Sequence, residues 1–222
     1  MNFKSKNIVI IGGSSGIGRG IAESFIEKGA NVCITGTRES INDYDEEITE
    51  NIKKCVYRKL DLSETDNLKN LSLPFKNIHT LVCSQGIVAY DRKEFEIDTF
   101  KKIIDLNLNS VMASCSFFYE NLVKNKGSIV IIGSGASYHA VKGNPAYSAS
   151  KGGLLTLIKT LAEAWAINGI RVNGIAPGYV ATKLTEVTFG NEKRYENTLK
   201  NIPSKRWGLP NDRGKVCCLF CS

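Results

Sequence analysis

Asn7-Ile8-Val9-Ile10-Ile11-Gly12-Gly13-Ser14-Ser15-Gly16-Ile17-Gly18 reads as a strand that breaks into a glycine-rich turn and opens a helix. Asn7–Ile11 is a short run of branched apolar residues without the polar alternation of a half-exposed strand, so it is expected to be buried on both faces of a sheet. A helical pattern follows over residues 17–28. Glycines between a strand and a helix let the backbone approach a diphosphate and turn tightly, and the free amides of the helix start favour negative charge. The spacing is GxxxGxG, one residue longer than the commonest dinucleotide fingerprint. Two readings stand on the glycines alone, a cofactor loop and a plain connection; the position between first strand and first helix favours the loop.

The same strand signature recurs at Asn31–Gly36, 55–60, 78–83, 128–133 and 170–175. Between these runs, residues 99–124 and 147–168 read as helices, the second with Leu154, Leu155, Ile158, Leu161, Ala162 and Trp165 on one apolar face, and 212–221 reads as a last helix. Strands alternating with helices predict crossover units, hence an α/β fold: a doubly wound parallel sheet between two helical layers. A length of 222 residues without repeats or a low-complexity linker predicts one domain over 1–222.

Composition narrows the function classes. Hydrophobic residues at 42%, charged residues at 23% and only five prolines exclude disordered and fibrous chains. The apolar runs fall far short of the roughly 20 residues that span a bilayer, and residues 1–6 lead into a glycine turn without a signal-like region, so a cytoplasmic location without membrane contact is expected. Seven cysteines, at 33, 55, 83, 115, 217, 218 and 221, are odd in number and sit in apolar segments, which predicts free thiols in a reducing compartment. Cys218 and Cys221 form a CxxC, but no second pair follows, and His79 and His139 stand alone, so no metal site is expected. Net charge is +7, and residues 183–222 carry eight basic against four acidic residues. These charges alternate as on solvated helix faces, so no nucleic-acid partner is expected.

Tyr147 and Lys151 are four residues apart at a helix start, so their side chains share a face. A phenol titrates near 10, and an adjacent ammonium is expected to draw it toward neutral pH and let it exchange a proton with a substrate oxygen. An ordinary surface Tyr and Lys is the alternative. Ser134 follows the fifth strand, where a doubly wound sheet places its ligand crevice, and its hydroxyl suits a developing alkoxide; a plain turn serine is the other reading. Asn107 falls among Ile103, Ile104, Leu108 and Val111, where a polar amide needs a reason, and a satisfied buried amide is one.

Taken together these residues resemble the short-chain dehydrogenase/reductase family with its TGxxxGxG and YxxxK motifs, from about Lys4 to the last residue. Gly12, Gly16 and Gly18 match the cofactor loop, with Ser14, Ser15, Ile17 and Arg19 inside or beside it. Asp61-Leu62 matches the pair that contacts the adenine. Asn107, Ser134, Tyr147 and Lys151 match the catalytic tetrad, and Pro177, Gly178, Val180 and Thr182 match the segment that holds the nicotinamide amide. Two places depart from the pattern: the motif's Thr is Ile11, and its Asn-Asn-Ala-Gly is Cys83-Ser84-Gln85-Gly86, of which Gly86 is kept.

The resemblance implies a Rossmann-type sheet in the order 3-2-1-4-5-6 and hydride transfer between a nicotinamide cofactor and a small-molecule or acyl-carrier-bound ketone or secondary alcohol, nearest to 3-oxoacyl-[acyl-carrier-protein] reductases. Tyr147 is then the proton donor, Lys151 binds the nicotinamide ribose, Ser134 polarises the carbonyl and Asn107 holds a water linking Lys151 to solvent. A catalytically silent, truncated nucleotide-binding member is the alternative. Residues 182–207 are the variable lid over the substrate. At the end of the second strand Thr35-Gly36-Thr37-Arg38 carries no acid, and Arg38 with Arg19 suits a 2'-phosphate, so NADP(H) is expected over NAD(H), which remains possible; Glu39 argues the other way. Phe117, Phe118, Leu154 and Trp165 are expected to supply apolar surface to a homodimer or homotetramer. Family chains continue into a seventh strand beside the sixth, so the chain as given is expected to lack that strand, to be less stable and less active than a version carrying it, and to form dimers more readily than tetramers.

Overall fold

The computed structural model describes residues 1–44 and 52–222. Six strands, β1 (Asn7–Ile11), β2 (Asn31–Gly36), β3 (Val56–Lys59), β4 (Thr80–Cys83), β5 (Ser128–Ile132) and β6 (Arg171–Ile175), form one parallel sheet in the order β3-β2-β1-β4-β5-β6. The helices are α1 (Gly16–Glu27), α2 (Ile97–Ile104), α3 (Ser110–Asn125), α4 (Pro145–Ala166), α5 (Glu186–Phe189), α6 (Glu192–Asn201) and α7 (Pro210–Cys221). This is the doubly wound parallel sheet that the alternation predicts, in the Rossmann-type order that the resemblance implies.

The apolar runs lack alternation because both faces of the sheet are covered. Within β1, Val9 and Ile11 enter one apolar cluster with Val111, Phe118 and Leu154, while Ile8 and Ile10 enter the other with Ile21, Phe25 and Cys217. In register, Val9 of β1 pairs with Cys33 of β2 and Leu81 of β4, so all three residues lie in the first cluster. The order reverses between β1 and β4, which leaves a crevice at the carboxyl ends of these strands.

Three details differ from the sequence reading. β3 and β4 are shorter than 55–60 and 78–83, because Ile78 is buried ahead of the ladder and Leu60 follows it. The helix over 99–124 is broken by a π-turn at Asp105–Asn109, which separates α2 from α3. Phe118 and Leu154 are fully buried in the chain's own core and Trp165 packs against it, so of the four residues expected on an oligomer face only Phe117 is exposed. A sheet face clad by two long helices takes more apolar side chains than their count suggested.

Helix α7 lies on α1 through two glycines. A methyl group at Gly20 would meet the Pro210 carbonyl carbon at 2.4 Å, and one at Gly214 would meet the Ser24 hydroxyl at 2.0 Å. Among the described residues no helix is long and apolar enough to cross a membrane.

Candidate active site

A cleft of about 570 Å³ opens at the carboxyl ends of the strands. Gly12, Ser14, Ser15, Gly16, Ile17, Leu62, Gly86, Ser134, Tyr147, Lys151, Pro177, Gly178, Val180 and Thr182 all line it. Residues spread from 12 to 182 thus converge on one cavity.

At the base of the cleft, α1 begins after Ser15, whose side chain makes no cap, and its first turn carries no acidic residue. Those amides are the natural partners of an anion. Gly12 has φ +72°, and a methyl group there would lie 2.9 Å from the Gln85 amide nitrogen; one at Gly18 would lie 2.2 Å from the Gly12 carbonyl oxygen. The glycines therefore let the loop fold back onto the helix, and Gly18 serves that turn rather than lining the cavity. The Gly12 amide donates to the Thr35 hydroxyl at 3.2 Å. The two departures from the family pattern meet in space: Ile11 pairs with Cys83, both are buried in one apolar cluster, and the Ser84 amide donates to the Ile11 carbonyl at 2.9 Å. An apolar pair stands in place of a polar one.

The reacting end gathers Ser134, Tyr147 and Lys151. Ser134 accepts the Ala136 amide at 3.1 Å, and its hydroxyl stands on the Tyr147 side of the cleft, where it opposes the rise of the phenol. Lys151 is buried, donates to the Ile132 carbonyl at 2.9 Å, and holds its ammonium 5.7 Å from the Tyr147 ring centre. Burial pushes the Lys151 ammonium down from 10.5 to about 8. Burial likewise pushes the Tyr147 phenol up, the Ser134 hydroxyl opposes this, and the Glu94 carboxylate adds to it. This corrects the expectation that the ammonium sets the phenol: Nζ is turned to a backbone carbonyl, and loss of water around the phenol outweighs it.

Asn107 stands behind the cleft and does not line it. Its Oδ1 accepts the Ile87 amide at 2.8 Å and its Nδ2 donates to the Ile87 carbonyl at 2.9 Å and to Ser150 at 3.2 Å. The π-turn aims this side chain at the wall formed by residues 86–88. The polar atoms of the Asn107 side chain are thus engaged by protein groups.

At the far end Arg38 lies over the Tyr44 ring at 4.7 Å, and Glu39 is ion-paired with Lys59. Arg19 is held beside Glu23 at 3.7 Å, and Asp61 accepts the Ser63 amide at 2.9 Å; these two, with Arg38, flank the cleft rather than line it. Tyr44, Thr35 and Tyr90 do line it and were missed, since single residues in loops or strands carry no spacing signal. Burial raises the Tyr44 phenol, but hydrogen bonds with Ser14, Tyr57, the Arg38 amide and Thr37 outweigh it and leave the phenol lowered. Tyr90 donates to the Leu184 carbonyl at 2.6 Å and ties the cleft wall to the segment after β6.

The helix start, the glycine loop and the volume of the cleft fit a dinucleotide. Among the described residues no group of three or more His, Cys, Asp or Glu gathers to hold a metal ion.

The family model described as Enoyl-(Acyl carrier protein) reductase matches residues 12–222. The chain is 32% identical to a 2-dehydro-3-deoxy-D-gluconate 5-dehydrogenase of Bacillus subtilis over 226 aligned positions, covering all of this chain and 89% of that protein. It is also 32% identical to a 3-oxoacyl-[acyl-carrier-protein] reductase of Chlamydia pneumoniae, covering 98% and 90%. Among solved structures, a candidate NAD(P)-dependent gluconate 5-dehydrogenase from Beutenbergia cavernae, crystallised with NADP at low occupancy, superimposes with a TM-score of 0.91 at 27% identity, covering 100% and 91%.

Proposed function

This chain belongs to the short-chain dehydrogenase/reductase family of oxidoreductases, and from that premise we propose that it interconverts a ketone and a secondary alcohol with NADP(H), using Tyr147 as the proton donor and acceptor. The cofactor, when bound, supplies or takes up the hydride. The observation that carries the reading is the meeting of Ser134, Tyr147 and Lys151 at one wall of a cleft whose other end is a glycine loop and a helix start.

Each of these residues has a role that its surroundings favour. Ser134 donates to the oxygen on which negative charge grows. Tyr147, kept protonated by burial, gives its proton to that oxygen in reduction and recovers it in oxidation. Lys151, lowered by burial to about 8, lines the same cleft and serves a ribose hydroxyl of the cofactor. Gly12, Ser14, Ser15, Gly16 and Ile17 form the diphosphate cradle, which Gly18 lets fold back onto the helix, Asp61, Leu62 and Gly86 the adenosine side, and Pro177, Gly178, Val180 and Thr182 the nicotinamide side. Lys183 at the mouth suits an anionic end on the substrate, as in a sugar acid or a phosphopantetheine-linked 3-oxoacyl group. The protein acts in the cytoplasm as one domain, with residues 182–207 as lid, and as a homo-oligomer.

The test is NADPH or NADH consumption with purified protein over a panel of ethyl acetoacetate, 5-ketogluconate and 2-dehydro-3-deoxygluconate analogues, with Tyr147→Phe beside the parent. The variant is expected to lose at least a hundredfold in kcat, the scale of a lost general acid, with cofactor affinity unchanged. Retention within tenfold would remove Tyr147 from the chemistry.

A further inference from the structure

Glu94 has no place in the reading above and belongs to no motif, yet its side chain is fully buried. A carboxylate out of water is costly unless its oxygens are satisfied, and this one is. Oε1 accepts the Ala89 amide at 3.0 Å and the Asn144 side-chain amide at 3.0 Å, while Oε2 accepts the Tyr147 backbone amide at 2.9 Å. The donors come from the cleft wall, from the residue before α4 and from the first turn of α4.

Asn144 occupies the N-cap position of α4 but gives that helix no side-chain cap; its Nδ2 donates to the Ala89 carbonyl at 2.9 Å as well as to Glu94. The anion at the start of this 22-residue helix therefore comes from 53 residues away in sequence. A negative charge is favoured there by the helix dipole, and it bonds the amide of the same residue whose phenol faces the reacting centre. We propose that Glu94 is the positioning residue of this active site, a carboxylate that clamps the first turn of α4 to the cleft wall and so fixes the Tyr147 hydroxyl in place. The proposal rests on the assignment of Tyr147 as proton donor.

The groups that face the phenol are Glu94 from its own turn, Tyr90 from the cleft wall, Ser134 from the turn after β5 and Lys151 from α4 itself. Glu94 favours the neutral phenol. In Glu94→Gln the amide keeps the shape but offers one acceptor oxygen to three donors, so at least one tie is lost, and the charge that adds to burial in raising the phenol is gone.

Protein carrying tyrosine labelled with ¹³C at Cζ reports ionisation without a substrate, and Tyr147→Phe assigns the signal. In Glu94→Gln the Tyr147 signal is expected to titrate at lower pH than in the parent, while NADPH affinity, read by tryptophan fluorescence, stays within about twofold. With ethyl acetoacetate, or whichever panel ketone the parent reduces, kcat should fall at least tenfold with KM little changed. Glu94→Asp keeps the charge but shortens the clamp, so its titration midpoint should match the parent's while kcat still falls about fivefold. A parent-like midpoint and kcat in Glu94→Gln would overturn the proposal; should that variant not fold, parent-like kcat in Glu94→Asp overturns it instead. Turnover surviving Tyr147→Phe would instead bring down the assignment of the proton donor, whatever Glu94→Gln does.

Discussion

Single side chains decide which cofactor the cleft prefers. At the end of β2 the acid that would bind a ribose 2'-hydroxyl is replaced by Thr37 and Arg38, and Glu39, a carboxylate that would repel a phosphate, is ion-paired with Lys59. Arg38 is stacked over Tyr44 at the rim, and under the proposed NADP(H) reading it is the residue that meets the 2'-phosphate. Arg38→Ala is therefore expected to weaken NADPH about tenfold, the effect of one charge-assisted contact of ~1.4 kcal/mol, with NADH affinity unchanged in the same fluorescence titration. Equal losses for both cofactors would move the phosphate site elsewhere. The site was legible in the sequence where chemistry repeats at a fixed local spacing, as in Gly12-Gly16-Gly18 and Tyr147-Lys151. Glu94, Tyr44 and Thr35 were not, because each meets its partners only after the sheet has brought distant segments together.

Elements were legible for a similar reason: strands buried on both faces have to be runs of Val and Ile, and glycine turns bound them. The π-turn at Asp105–Asn109 was not, since Ile103, Ile104, Leu108 and Val111 fit a continuous helical stripe, and only the polar Asn107 among them signalled an irregularity. Nor did Gly20 and Gly214 declare themselves, although α1 and α7 touch through them. Ser24 donates to the Gly20 carbonyl at 3.0 Å at the point of contact, so Gly214→Ala would push a methyl group into a hydroxyl and a carbonyl that are already bonded to each other. A loss of about 1–3 kcal/mol is expected from such overpacking, read as a lowered midpoint in urea. Because α1 also presents its first turn to the cleft, NADPH affinity should fall in the same variant. Parent-like stability would mean that α7 does not pack on α1 at this spacing.

Over the whole molecule, buried titratable groups pull stability in opposite directions as pH rises. Lys151, shifted down from 10.5 to about 8, binds its proton less readily folded than unfolded, so between these values the unfolded chain holds more protons and stability rises with pH. Burial shifts three thiols the other way from an ordinary 9.0: Cys33 to about 11, Cys55 to about 12 and Cys218 to about 12. Above 9 the unfolded chain ionises them and the folded chain does not, so the folded state holds more protons and stability falls. Each group contributes at most about 1.4 kcal/mol per pH unit, and three thiols outweigh one lysine. Urea midpoints measured with a phosphine reductant are therefore expected to stay nearly level from pH 8 to 9, where the lysine and the thiols offset each other, and to drop steeply from 9 to 11. Lys151→Met should turn the level stretch into a fall and steepen the drop, whereas Cys33→Ala with Cys55→Ala should turn it into a rise and soften the drop. A midpoint that climbs past pH 9 in the parent would mean that these thiols are not held protonated by the fold.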